Sequence, residues 1–299
     1  MFFSEEGARW ALIVHGGAKE MEPDERADNR SGVIEAAEAG RAVLEKGGSA
    51  IDAVVAAIEV LERLPVFNAG RGSALNEAGD IEMCSGVMDG RDLSVGAVGA
   101  IKHVRHPVAV ARDVLPEKEV LLVGEGALRF ALAKGHDEVP TEALITETRR
   151  EALKEMHDTV GAVAMDTGGN IAAGTSTGGL TGAKVGRVGD SPMPGAGLYA
   201  DNHVGGVAFS GDGETITRLA LAAQVMASIG KDGPEDAIRK AVDQLPGTGG
   251  AEADGGAIAI RKDGTIGWTH NSPDFAVAYL TSDMEAPRAF LSKDEEKSG

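Results

Sequence analysis

Residues 157–180 read HDTVGAVAMDTGGNIAAGTSTGGL. Two runs of small and branched apolar residues, VGAVAMD and IAAGTS, flank the turn TGGN, which is the pattern of a β-hairpin. A hairpin brings the chain back to where it began. Thr159 at its start and Thr175, Ser176 and Thr177 at its end therefore belong at one end of a sheet. Upstream, residues 136–158 are polar, with a turn signal at Pro140, and read as a linker that ends on His157-Asp158-Thr159. A second unit of the same kind, GGAIAIR–KDG–TIGWTHN, stands near the C-terminus. Gly161 to Ser176 and Gly256 to Asn271 align without gaps, which predicts related hairpins in adjoining sheet positions.

Outward from the hairpin, residues 8–14 (ARWALIV) read as a buried strand that runs into a turn at His15-Gly16-Gly17-Ala18. Residues 31–46 carry apolar side chains at helical spacing and stop at Gly47-Gly48. Ser49 caps a second helix that Pro65 ends. Residues 66–80 are a glycine-rich loop, followed by extended segments IEMCSGVMD and LSVGAVGAIKHV. Pro107 opens a short helix, and another covers about 125–134. After the first hairpin come the loop GRVGDSPMPGAG, a strand VGGVAFS, and helices over about 214–229 and 233–244; the charged tail after Asp283 is expected to fray. Strands and helices in blocks, joined by hairpins, argue for an α+β sandwich rather than a doubly wound sheet.

The chain has 299 residues, enough for one large domain or two small ones. A formal charge of −18 with no basic cluster excludes nucleic acid as a partner. One cysteine, Cys84, excludes an internal disulfide framework or a cysteine-rich metal site. No apolar run is long enough to span a membrane. The opening MFFSEEGARW shows no basic leader, so the expected location is the cytoplasm. Motifs for phosphate loops, nucleophile elbows and zinc helices are missing, and VLLVGEGALRF lacks the third glycine of a dinucleotide fingerprint. His103 and His106 flank a turn and are expected at the surface.

Threonine remains. Thr159 and Thr177 are placed so that their hydroxyls can meet, although threonine is also a good strand residue and spacing alone favours that plainer part. The motifs change the balance. HDTVGAVAMDTGGNIAAGTSTGGL, GRVGDSPMPGAG and SGDGE resemble the β-subunit signature of the plant-type asparaginases, the isoaspartyl peptidase/L-asparaginase family of N-terminal-nucleophile hydrolases. VHGGA, FNAGRGSALN, VMDG, VGAVGAIKHVRHPV and the GGAIAI hairpin match in order, so the resemblance covers about residues 10 to 280.

That resemblance implies a four-layer αββα sandwich in a single domain. It implies self-cleavage between Asp158 and Thr159 into an α-subunit of 1–158 and a β-subunit of 159–299, and a dimer of such αβ units. Thr159 would be the nucleophile, with its own freed α-amine as base; such an amine has a pKa of about 7.7–8.0. By the same resemblance Thr177 tunes the nucleophile, Ser210 and Gly211 form the oxyanion hole, Arg187 and Asp190 with Gly213 hold the substrate head group, and Asn68 supports the nucleophile. The implied substrates are asparagine and β-aspartyl dipeptides, with no cofactor for catalysis. The loop from Leu61 to Arg71 resembles one whose carbonyls, here those of Leu61, Glu62, Leu64, Phe67, Ala69 and Arg71, bind a structural sodium ion. Asp158 in place of the usual glycine is shared with the sister branch, the glycosylasparaginases, which stay open as an alternative. So does a non-enzymatic, unprocessed homologue.

Overall fold

The computed structural model describes residues 9–146, 158–250 and 252–298. The leader reading on residues 1–8, and residues 147–157 of the linker with His157, lie outside the described residues. In chain order the elements are β1 (Ala11–Lys19), α1 (Arg26–Leu44), α2 (Ala50–Arg63), β2 (Met83–Asp89), β3 (Ser94–Ile101), α3 (Pro107–Val114), β4 (Leu121–Val123), α4 (Gly124–Ala133), β5 (Val160–Met165), β6 (Ile171–Thr177), β7 (Leu198–Asp201), β8 (Gly205–Gly211), α5 (Gly213–Leu219), α6 (Leu221–Asp232), α7 (Pro234–Val242), α8 (Leu245–Gly249), β9 (Gly255–Arg261), β10 (Ile266–His270), β11 (Asp274–Thr281), β12 (Arg288–Phe290) and α9 (Lys293–Ser298).

The strands form two sheets, one of order β12-β11-β1-β5-β6-β2-β3-β4 and one of order β10-β9-β8-β7. All neighbours are antiparallel except β3 and β4. The period-2 pattern of each strand decides what lies on either side. In β1, Leu12 and Val14 face the cluster beneath α1 and α2, whereas Ala11 and Ile13 face the gap between the sheets. In β8, Ala208 faces that gap and Val207 and Phe209 pack under α6 and α7. Helices α1 to α3 thus cover one face of the large sheet, the small sheet covers the other, and α6 and α7 cover the far face of the small sheet.

Several expectations need correction. The turn at His15–Ala18 is instead part of β1, which carries a register shift between those residues. The two matching hairpins lie in different sheets, stacked across the gap, not in adjoining positions of one. The helix expected over 214–229 is two, broken at Ala220, whose φ is +51°. The tail does not fray: Glu296 accepts from the Trp268 indole and the Tyr279 hydroxyl, and Lys293 lies over the Trp268 ring. His103 and His106 are half-buried; their ring nitrogens bond the Val139 carbonyl and Glu62. Among the described residues no helix is long and apolar enough to cross a membrane.

Helix α3 sits directly on β3. A Cβ at Gly96 would collide with the Ala111 carbonyl oxygen and the Leu115 nitrogen, both backbone atoms. Gly96→Ala is therefore expected to cost about 1–3 kcal/mol, as overpacking does. A lower urea midpoint would report it, and an unchanged midpoint would contradict the seating of α3.

Candidate active site

Thr159 precedes β5, and its neighbour Val160 pairs with Ser176. The peptide joining Asp158 to Thr159 is buried, with the two residues 1% and 3% exposed. Its carbonyl oxygen accepts two hydrogen bonds, from Asn68 Nδ2 and Thr177 Oγ1, each at 3.1 Å. Its N–H donates to Ser210 Oγ at 3.0 Å. The Thr159 hydroxyl stands 3.0 Å from Ser191 Oγ. One amide is thus held on both sides, and the hydroxyl beside it is held by another hydroxyl.

The groups that hold it are themselves fixed. Asn68 Nδ2 also donates to the Gly179 carbonyl at 2.8 Å, and its Oδ1 accepts from the Ala74 N–H at 2.8 Å. Thr177 Oγ1 accepts from the Gly179 N–H at 3.1 Å. Ser210 Oγ takes a second N–H, from Ala18, at 3.0 Å. The Ser191 carbonyl accepts from Thr175 Oγ1 at 2.5 Å. Rigid donors that need no rearrangement are what stabilises charge developing on a carbonyl oxygen.

His15 lies beneath this peptide, paired in register with Gly161. It is fully buried, stacked on Phe275 at 5.1 Å, and neither ring nitrogen has a side-chain hydrogen-bond partner. Burial pushes its pKa down to about 3, against a smaller opposing effect from the Thr159 backbone. The imidazole is therefore neutral at working pH.

Arg187, Asp190 and Gly213 converge next to this centre. Asp190 is buried, and one carboxylate oxygen has no hydrogen-bond partner. Burial raises its pKa to about 7, against the pull of the Arg187 charge. A Cβ at Gly213 would stand 2.7 Å from one Asp190 oxygen, and one at Gly197 would stand 2.9 Å from the other. Any side chain larger than hydrogen at either position would press on the Asp190 carboxylate. Arg187 grips Glu214 through Nε and Nη2 at 2.9 and 2.7 Å. That bidentate hold is how a guanidinium takes any carboxylate, so Glu214 occupies the fork in this form. The cleft over Gly178, Gly179 and Arg187 offers only about 10 Å³. That is room for about one water. Gly211, at φ +137°, ends β8 with its Cα side closed by the Asp254 carbonyl.

The 61–71 loop folds back on itself. Arg71 N–H donates to the Glu62 carbonyl at 2.8 Å and Phe67 N–H to that of Leu64 at 3.2 Å. Each carbonyl has a second lone pair, and neutral oxygens of this kind suit a hard cation. The Glu62 side chain is buried and accepts from the Val108 N–H, Ser176 Oγ and His106 Nδ1. Burial raises its pKa, opposed chiefly by the bond from His106.

Sequence reasoning missed Ser191 and Glu214. Both lie inside quoted motifs, next to Asp190 and Gly213, and that adjacency was the available signal.

The profile described as "Asparaginase" matches residues 8–158 and 153–287. The isoaspartyl peptidase/L-asparaginase of Xenopus laevis is 44% identical over 274 residues, covering 86% of this chain and 87% of that protein. Its namesake from Danio rerio is 42% identical over 278 residues, covering 85% and 86%. That of Homo sapiens is 40% identical over 287 residues, covering 89% and 92%.

Because its pKa is lowered, His15 should bind no proton between pH 5 and 8. NMR of its ring should show flat shifts over that range. A titration near the ordinary histidine value would mean that the ring reaches water or an acid.

Proposed function

This chain belongs to the asparaginase family, and we propose that it is an L-asparaginase and β-aspartyl peptidase that activates itself by cutting the Asp158–Thr159 bond. The observation that carries this reading is the paired grip of Asn68 and Thr177 on the Asp158 carbonyl oxygen, beside the Thr159 hydroxyl. In the first step Thr159 Oγ attacks the Asp158 carbonyl carbon. The negative charge that grows on the oxygen is met by the Asn68 amide and the Thr177 hydroxyl. The C–N bond breaks, the hydroxyl proton ends on the Thr159 nitrogen, and an ester links Asp158 to Thr159 Oγ. Water then splits the ester, leaving an Asp158 carboxyl group and a free Thr159.

The freed amine is a base of suitable pKa within one residue of the hydroxyl. Thr159 Oγ next attacks the side-chain amide of an aspartyl substrate. Ammonia or an amino acid departs, and water releases aspartate from the β-aspartyl ester. Asp190 holds the substrate's α-ammonium, and Arg187 exchanges Glu214 for its α-carboxylate. By the family resemblance, Ser210 and Gly211 meet the oxyanion of this second reaction. The order helices, sheet, sheet, helices supports the αββα sandwich of N-terminal-nucleophile hydrolases. We read the 61–71 carbonyls as a structural sodium site and the mature enzyme as a dimer of αβ units.

Thr159→Ala should abolish hydrolysis of both asparagine and a β-aspartyl dipeptide; residual turnover would overturn the mechanism. Asn68→Ala should slow self-cleavage by about 10²–10³, the usual cost of one oxyanion donor. Unaltered processing would remove Asn68 from that step.

Asp190 binds an ammonium only when ionised. Its raised pKa, about 7, means that it gains a proton as pH falls through neutrality. KM for asparagine should therefore rise as pH falls below 7, approaching about tenfold per pH unit. A KM that is flat from pH 5.5 to 8 would contradict the assignment.

A further inference from the structure

The cleavage site carries a cation that the mechanism above does not use. Lys19 is the last residue of β1, beyond the register shift between His15 and Ala18. Gly17, at φ +110°, lets the strand fold around Asp158; a Cβ there would stand 2.6 Å from that of Asp158. The Lys19 side chain is only 12% exposed, and Nζ lies 3.6 Å from Asp158 Oδ2. The Asp158 side chain is 2% exposed, and neither of its oxygens accepts a hydrogen bond among the described residues. A buried carboxylate without hydrogen bonds is costly, and a charged partner at this distance offsets part of that cost.

Lys19 also reaches the other side of the cleavage site. Nζ donates to the Val66 carbonyl at 3.2 Å, two residues before Asn68, and lies 3.8 Å from Glu25 Oε2. One ammonium therefore touches both the side chain of the residue to be cut and the loop that delivers a donor to its carbonyl.

We propose that Lys19 is a positioning residue for self-cleavage, clamping the Asp158 side chain to the 66–68 loop so that the Asp158 carbonyl is presented to Asn68 and Thr177. The proposal rests on the self-cleavage reading above. Lys19 touches no reacting atom; it acts through Asp158. A carboxylate in place of glycine before the nucleophile thus has its own counter-ion, supplied by the same irregular strand.

The test is a time course of chain division after cell-free synthesis of the full chain. Wild type, Lys19→Met, Lys19→Arg, Asp158→Asn and the Lys19→Met/Asp158→Asn pair are compared. Lys19→Met should divide about tenfold to a hundredfold more slowly, the scale of a misplaced reacting group. Lys19→Arg should recover most of that rate, which a loss of packing alone would not predict. Asp158→Asn should also be slow, and adding Lys19→Met to it should slow it no further. If Lys19→Met is insoluble, Asp158→Asn and Lys19→Arg still decide: wild-type division by Asp158→Asn overturns the clamp. Equal rates for wild type and Lys19→Met overturn it too, as does an undiminished Lys19 effect in the Asp158→Asn background. A wild-type chain that never divides overturns the self-cleavage reading itself, and the clamp with it.

Discussion

Everything at the site depends on one buried carbonyl group with two donors. The Asp158 oxygen is held by Asn68 and Thr177, and most of the surrounding architecture fixes those two side chains. Thr177 ends β6, which lies between β5 and β2 in the middle of the large sheet. Asn68 stands on a loop, which is a weaker support, and the loop is secured from behind. Its Arg71 N–H returns to the Glu62 carbonyl, and the Glu62 side chain ties together the end of α2, the start of α3 and β6. A buried carboxylate is costly on its own; three donors make it a fixed point.

Small residues make this closeness possible. The strands of the hairpin, VGAVAM and IAAGTST, carry little bulk. Gly161 leaves room for the His15 ring, and Gly174 leaves room for Val54 and Ile58 of α2. Aromatic side chains are few, at 4% of the chain, and Trp268 and Phe275 pack near His15 in the gap between the sheets. The result is a closely packed site whose polar groups are held from several sides.

The hairpin, the helix that Ser49 caps, and the helix that Pro107 opens were legible because each rests on local chemistry. Ser49 accepts from the Asp52 N–H as a cap should. The candidate residues Thr159, Thr177, Arg187 and Asp190 were reachable through motif order, and Thr159 and Thr177 come together with Ser210 and Asn68 at the Asp158–Thr159 peptide. Local signals failed where distant partners decide. The charged tail packs because Trp268 and Tyr279 give Glu296 two donors. The three-residue β4 carries exposed Leu121 and Val123 and has no alternation to read. Ser191 lay unremarked in the loop GRVGDSPMPGAG; only the fold puts its hydroxyl on that of Thr159. Arg187 was expected to face a ligand, and in this form it faces Glu214.

The central claim is that the bond gripped by Asn68 and Thr177 is cut by the residue beside it. Intact-mass analysis of the purified protein, with N-terminal sequencing of its lighter component, tests this most directly. The account predicts two chains that divide the full sequence between them, the lighter one beginning at Thr159. A single undivided chain, or a cut at any other bond, would contradict it.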